Sequence, residues 1–200
     1  MPITSRLPCG QRETASRALS HACCTVRCVA ARVRKFRKEG GVGKKKTWHE
    51  KLDNDEGLPR VVEIDERMSS RWGAGTFVIP APREVDALMR AVPEGKLTTI
   101  NHLRESLAAR HGTTTACPIT TGMFARIAAE AAAEDEKDGR IDITPYWRTL
   151  KMGGEVNAKY PGGCEGQQER LEAEGHVVVE RGKRFLVADY EDRLHDFRTR

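Results

Sequence analysis

No stretch of the 200 residues approaches the roughly 20 consecutive apolar positions that a membrane helix needs, which excludes a helical membrane span. Aromatics are scarce at 6%, and the 38% of apolar residues barely exceed the 32% that are charged, with mean hydropathy −0.57. A chain so poor in apolar residues supports one modest core, with or without a tail. A disulfide framework is also lacking. Four of the six cysteines (Cys9, Cys23, Cys24, Cys28) fall in the first 28 residues, and Cys117 and Cys164 lie far apart. With no secretory signal in view, the expected compartment is a reducing cytoplasm.

Acid is nearly missing from the first quarter. Residues 1–46 hold 12 Lys/Arg against two Asp/Glu, a net of +10. Of the chain's 34 basic and 29 acidic residues, that leaves 22 and 27 for residues 47–200, a net of −5. The basic character belongs to the tail, so any nucleic-acid role for the body must rest on local geometry. The tail has no clean helical or strand period, and composition predicts a disordered basic extension over 1–46. A mitochondrial presequence shares that composition. His21, Cys23, Cys24 and Cys28 match no zinc module in their spacing, so no metal and no cofactor is expected. Gly40-Gly41-Val42-Gly43 before Lys44-Lys45-Lys46 reads as a joint rather than a phosphate loop, because the Gly/Lys order and a preceding strand are missing.

What remains is a folded body over residues 47–200. Residues 47–80 read as loops and short extended pieces. Pro80 and Pro82 introduce a helix carrying Val85, Leu88, Met89 and Val92, which Pro93-Glu94-Gly95 ends. Thr98 or Thr99 can cap a second helix with Ile100, Leu103 and Leu107 as its buried stripe and Gly112 at its end. Thr113, Thr114 and Thr115 offer caps for a third, where Ile119, Met123 and Ile127 recur every four residues. Two helices across a short Gly/Thr turn have the outline of a helix-turn-helix. Then come a partly extended segment at Ile141–Leu150, turns at 151–154 and 160–163, and a short helix over Glu165–Glu174. A hairpin around Arg181-Gly182 closes the pattern. The expected class is α+β, a winged helix-turn-helix-like domain with a C-terminal β hairpin behind a basic tail.

Over residues 83–178 this sequence resembles the DNA-binding domain of the O6-alkylguanine-DNA alkyltransferase family. Val92-Pro-Glu-Gly-Lys-Leu-Thr-Thr99 is similar to the family's Ile-Pro-x-Gly-x-Val-Thr-Thr segment. Thr144-Pro-Tyr-Trp-Arg148 stands where the family has Pro-Cys-His-Arg. Tyr160-Pro-Gly-Gly163 and the stretch from Gln167 through Leu171 to Glu174-Gly175 match its closing motifs. The truncated architecture looks most like the alkyltransferase-like members. The resemblance implies a monomer that binds double-stranded DNA, alkylated DNA included, in the nucleoid, and that hands lesions to downstream repair proteins.

The departures from the family matter more than the matches. Family enzymes attack the alkyl group with a cysteine thiolate activated through the adjacent histidine. Here Tyr146 stands at the acceptor position and Trp147 at the histidine position, and a phenol with a pKa near 10 is a poor substitute for a thiolate. Glu174 matches the acidic member of the relay, or is a helix-end carboxylate with no imidazole to orient. Tyr146, Trp147 and Tyr160 are the expected lesion-pocket residues, aromatic faces that stack a flipped base; core packing is the competing role for at least one. Thr113, Thr114, Thr115, Thr120 and Thr121, with Arg126 and Arg148, are the expected DNA contacts, and helix capping is the threonines' alternative role. The residues the family uses to extrude a base align with Ile100 and Cys117. Arg83–Val92 and the helix near Gln167 read as scaffolding. Two alternatives stay open: a methyltransferase with an atypical acceptor, and a repurposed winged helix binding a protein partner.

The charge division has a direct test. A chain beginning at Thr47 is expected to bind undamaged duplex far more weakly than the full chain. Its slope of log affinity against log salt should be shallower by about 0.9 for each phosphate that the tail no longer neutralises. Fluorescence titrations of both chains at three salt concentrations check this; an unchanged slope would mean the body carries its own basic face.

Overall fold

The structure, a computed structural model, describes residues 45–198, and the basic extension up to residue 44, with its four cysteines, lies outside the described residues. Thr47 starts the fold by capping α1 (Trp48–Leu52). Its hydroxyl accepts from the Glu50 amide at 3.1 Å, and the Glu50 carboxylate accepts from the Thr47 amide at 2.7 Å. Next come β1 (Arg60–Glu63), α2 (Glu66–Trp72, capped by Asp65) and β2 (Thr76–Ile79). This corrects the reading of 47–80 as loops and extended pieces. Helices of five and seven residues are too short to print a period in the sequence.

From Pro82 the elements run as the spacing predicts. Pro82 begins α3 (Pro82–Arg90), with Val85, Leu88 and Met89 buried. After β3 (Thr98–Thr99), the Thr99 hydroxyl caps α4 (Ile100–His111), accepting from the His102 amide at 3.2 Å. Leu103 and Leu107 are fully buried, Ile100 only half-buried. Gly112 ends the helix at φ 62°, in the left-handed region where glycine carries no Cβ penalty.

The turn that follows is tied down from outside. Its residues form β4 (Thr115–Ala116), which pairs parallel to β2, itself antiparallel to β1. The Thr114 amide donates to Thr76 O and the Cys117 amide to Val78 O, each at 2.9 Å. The helix α5 (Pro118–Lys137) therefore leaves a fixed platform. Its N-cap is Cys117, without a side-chain bond, and Pro118 sits at its first position, so the threonines do not cap it. Its inner face is Thr121, Phe124, Ala125, Ala128, Ala129 and Ala132. Ile119 and Met123 stand on the other side, 73% and 49% exposed, while Ile127 packs partly against the core. The helix stands where the spacing puts it, but the four-residue apolar recurrence does not mark its core face.

A 3-10 turn at Tyr146–Arg148 leads into β5 (Thr149–Leu150), parallel to β3. A second 3-10 turn spans Met152–Gly154, and α6 runs Gly163–Ala173. The hairpin of β6 (Val178–Arg181) and β7 (Arg184–Val187) turns at Gly182-Lys183, and a last 3-10 turn covers Tyr190–Arg193. The chain is α+β: a helix-turn-helix of α4 and α5 followed by a C-terminal β hairpin. One apolar cluster joins α1, α3, α4 and α5 with Tyr146 and Tyr160. A smaller one gathers Leu97, Leu150, Val156, Leu171 and Val187. Trp147 packs against both.

The two faces of α5 should differ sharply in stability. Phe124→Ala is expected to cost about 3–5 kcal/mol, whereas Ile119→Ala should stay within about 0.5 kcal/mol of wild type. Urea unfolding of both variants checks the assignment of faces.

Candidate functional site

The segment Tyr146-Trp147-Arg148 is held by a carboxylate at the end of α6. Glu174 accepts from Trp147 Nε1 at 2.6 Å on one oxygen. Arg148 reaches both oxygens, with Nε at 2.9 Å from each and Nη2 at 2.8 Å from Oε1. Arg148 Nη1 donates to Val92 O at 2.8 Å, and the Gly95 amide faces Glu174 Oε2 at 3.4 Å. The Val92–Gly95 and Tyr146–Arg148 motifs thus meet at one ion pair. Gln167, fully buried, fixes the backbone beneath. Its Nε2 donates to Trp147 O at 2.8 Å and Thr149 O at 3.3 Å, and its Oε1 accepts from the Asn157 amide at 2.8 Å. The reading of α6 as scaffolding is right in position but omits this polar lock.

Glu174 has found a partner in the indole. Burial works against its charge, but the bonds from Arg148 and Trp147 outweigh that and hold its carboxyl below the usual range. An indole N–H only donates, so the pair can orient a ring but cannot relay a proton as an imidazole would.

Tyr146, Trp147 and Tyr160 do come together, as a packed cluster rather than an open pocket. Tyr146 meets Trp147 edge-to-face at 5.4 Å and Tyr160 at 5.9 Å. Tyr146 is 2% and Tyr160 3% exposed. Burial pushes both phenols upward, for Tyr146 against the opposing influence of Arg170. Arg170 covers Trp147, its guanidinium 4.7 Å from the ring centre, and is itself held by Glu136 at 2.7 Å. The sequence reading missed Arg170, since nothing in its spacing separates a stacked arginine from a solvated one.

The expected DNA contacts divide in the same way. Thr121 is fully buried and donates to Cys117 O at 2.8 Å. The Thr115 hydroxyl accepts from Arg104 Nη2 at 2.9 Å, and Thr113 donates to Thr115 O at 3.1 Å. The Thr114 hydroxyl accepts weakly from the Thr76 amide at 3.3 Å, and Thr120 leans on Cys117 O at 3.4 Å. Arg148 is locked to Glu174. For Thr121 and Arg148 the phosphate role is therefore corrected, because neither has a free face. Arg126 is half-exposed, 3.5 Å from Glu130. Cys117, aligned with the family's base-extruding arginine, is buried and reaches no surface.

An open face lies beside these residues. A cleft of about 440 Å³ is lined by Ile100, Ile119, Gly122, Met123, Arg126, Lys151, Asn157 and Lys159. It brings three cations and no carboxylate to the exposed side of α5. Glu130 and Glu155 pair with Arg126 and Lys151 from outside the lining. Of this set the sequence reading named only Arg126 as a contact. Ile100, Lys151, Asn157 and Lys159 come from outside α5, and no spacing in the sequence joins them to it.

No family model and no curated protein matches this chain. Two solved structures do: Schizosaccharomyces pombe Atl1 in complex with damaged DNA containing O6-carboxymethylguanine, and S. pombe ATL in complex with DNA. Both share 16% identity, with TM-scores of 0.40 and 0.43, over 57% of this chain and 94% of theirs.

The Glu174 hub sets two expectations. Arg148→Ala should cost about 3 kcal/mol, since it strands a mostly buried carboxylate, and Arg148→Lys should recover only part of that. The second is a pH dependence. Glu174's folded-state pKa is depressed, so its stabilisation is complete above the ordinary value of 4.5 and fades as pH falls further. Wild type should therefore lose stability faster below that pH than Glu174→Gln does, as urea midpoints at stepped pH will show.

Proposed function

We propose that this chain is a non-enzymatic, DNA-binding protein of the alkyltransferase-like type. In this reading it senses O6-alkylguanine or a related lesion in double-stranded DNA, as a cytoplasmic monomer, and passes it to other repair proteins. The observation that carries the reading is the chemistry at positions 146, 147 and 174. The motif residues converge around one carboxylate, yet the group at the acceptor position is a buried phenol whose pKa burial has raised, and its neighbour is an indole. Alkyl transfer needs an accessible, deprotonated nucleophile, and Tyr146 is neither. Cys117 is buried at the start of α5, and Cys164 packs against the smaller cluster. What survives is recognition without reaction.

The binding surface in this reading is the cleft on α5. Its volume suits a nucleobase, and Arg126, Lys151 and Lys159 suit phosphates on either side. Two observations favour a second reading: the body's net charge of −5 and the engaged Arg148 suit a protein partner better than a duplex.

Titration of the full chain against matched duplexes with and without O6-methylguanine, at fixed salt, tests the proposal. Tighter binding to the lesion, with no methyl adduct in the intact-protein mass spectrum, is the expected result. Equal or absent affinity removes lesion sensing, and a stoichiometric adduct restores the enzyme reading.

A further inference from the structure

Apolar side chains left outside the core gather around the C-terminal hairpin. Val177 and Val179 stand 64% and 40% exposed on one face of its first strand. Met152 stands 74% exposed in the 3-10 turn just before Glu155, which bridges to Leu186 of β7. Val179 opens into a cleft of about 380 Å³ walled by Leu186, Val187 and Ala188. A second cleft of about 340 Å³ adjoins it across Gly153, Tyr190 and Glu191 and reaches Met152, Leu194 and the first turns of α4. Together they form one groove from the hairpin to α4, and it shares no residue with the cationic cleft on α5. Its middle is firmly set. A Cβ on Gly154, at φ 75°, would run into the Tyr190 ring, so that ring is seated on bare backbone.

Charge along this groove is the reverse of that on α5. Glu105, Asp189, Glu191 and Asp192 line it, against Arg181 as its one arginine or lysine. All four carboxylates are exposed. Elsewhere the chain neutralises its acids: Glu84 with His111, Glu136 with Arg170, Glu155 with Lys151 and Glu174 with Arg148. Among the described residues these four are in no such pair. A duplex is repelled from a rim of this kind, and a purely apolar partner gains nothing from it. An apolar floor beside unpaired carboxylates complements a segment that carries apolar side chains and lysines or arginines together. A polyamine would answer the carboxylates and leave Val179 and Met152 in water.

We propose that this groove docks a basic, apolar-containing segment of a partner protein, laid in extended form from the hairpin to α4. The proposal gives the partner of the reading above its surface and chemistry, and rests on that reading only for the partner's place in repair. Because groove and cleft have no residue in common, one protein can hold a duplex and a partner at the same time.

The experiment uses the full chain and, as probe, a fluorescein-labelled peptide of alternating lysine and valine, followed by anisotropy at low salt. Asp189→Asn, Glu191→Gln and Asp192→Asn together should weaken peptide binding about tenfold, the combined effect of three exposed pairs. Asparagine tolerates the left-handed backbone that Asp189 adopts at φ 48°. Val179→Ser with Met152→Ser should weaken it about fivefold through lost apolar contact. Asp55→Asn, Glu56→Gln and Glu63→Gln remove the same charge from exposed sites outside the groove, and should leave peptide affinity within about twofold. Equal losses from the two charge triples, or equal binding of a peptide with glutamate in place of lysine, overturn the proposal. Competition by spermidine as effective as by unlabelled peptide at matched charge assigns the groove to a polyamine and also overturns it. So does self-association in ultracentrifugation that the groove triple abolishes, which assigns the groove to a second copy. Duplex affinity is measured alongside. A chain that binds duplex and not the peptide overturns the groove alone, and one that binds the peptide and no duplex overturns the DNA reading alone.

Discussion

Everything near the motif residues depends on one carboxylate. Glu174 ends α6, and two separate stretches of chain turn toward it: the indole and guanidinium of residues 147–148, and the 92–95 loop, through the amide of Gly95 and, by way of Arg148, the carbonyl of Val92. A carboxylate with so many donors is strongly directional. It fixes Trp147 between the two apolar clusters and brings the loop before β3 against the turn before β5. Those two short strands are parallel, and parallel neighbours cannot be joined by a tight turn, so they need such a tie from elsewhere.

On the proposed reading, the same hub takes the place of the chemistry of the reactive family that the sequence resembles. An imidazole beside a thiolate must accept and release a proton. An indole in that place does neither, but it donates one good hydrogen bond and covers far more apolar surface. On that reading, a structural joint stands where the family has a chemical relay. Tyr146 follows the same logic: its ring fills the core between Trp147 and Tyr160, where a thiol would leave a void.

Much of this was legible in the sequence. Helices α3, α4, α5 and α6 announce themselves by spacing, by Pro82 and Pro118, and by caps at Thr99 and Gly112, all local signals. The meeting of Val92–Gly95, Tyr146–Arg148 and Glu174 was not: the motifs stand in order in the sequence, but nothing in their spacing says that they share one carboxylate. The three-stranded sheet was not legible, because β4 is two residues long and pairs with a strand 38 positions away. Nor was the inward face of α5. Isoleucine and methionine outrank alanine in any apolar count, yet in α5 it is the alanines and Phe124 that face inward. The roles of Thr121 and Arg148 failed for a related reason: sequence shows a hydroxyl or a guanidinium, not whether another group in the chain already holds it.

The alanine-lined interior of α5 has a consequence for how such a protein changes over generations. Positions 125, 128, 129 and 132 are buried, and added bulk there typically costs about 1–3 kcal/mol. Positions 119, 123 and 126 face outward, where replacement costs the fold little. Drift is thus concentrated on the exposed face, where the proposed reading puts the partner. The helix can acquire a new preference in a few substitutions while its scaffold stays fixed, so lineages sharing this body should diverge first in what they bind and last in how they fold.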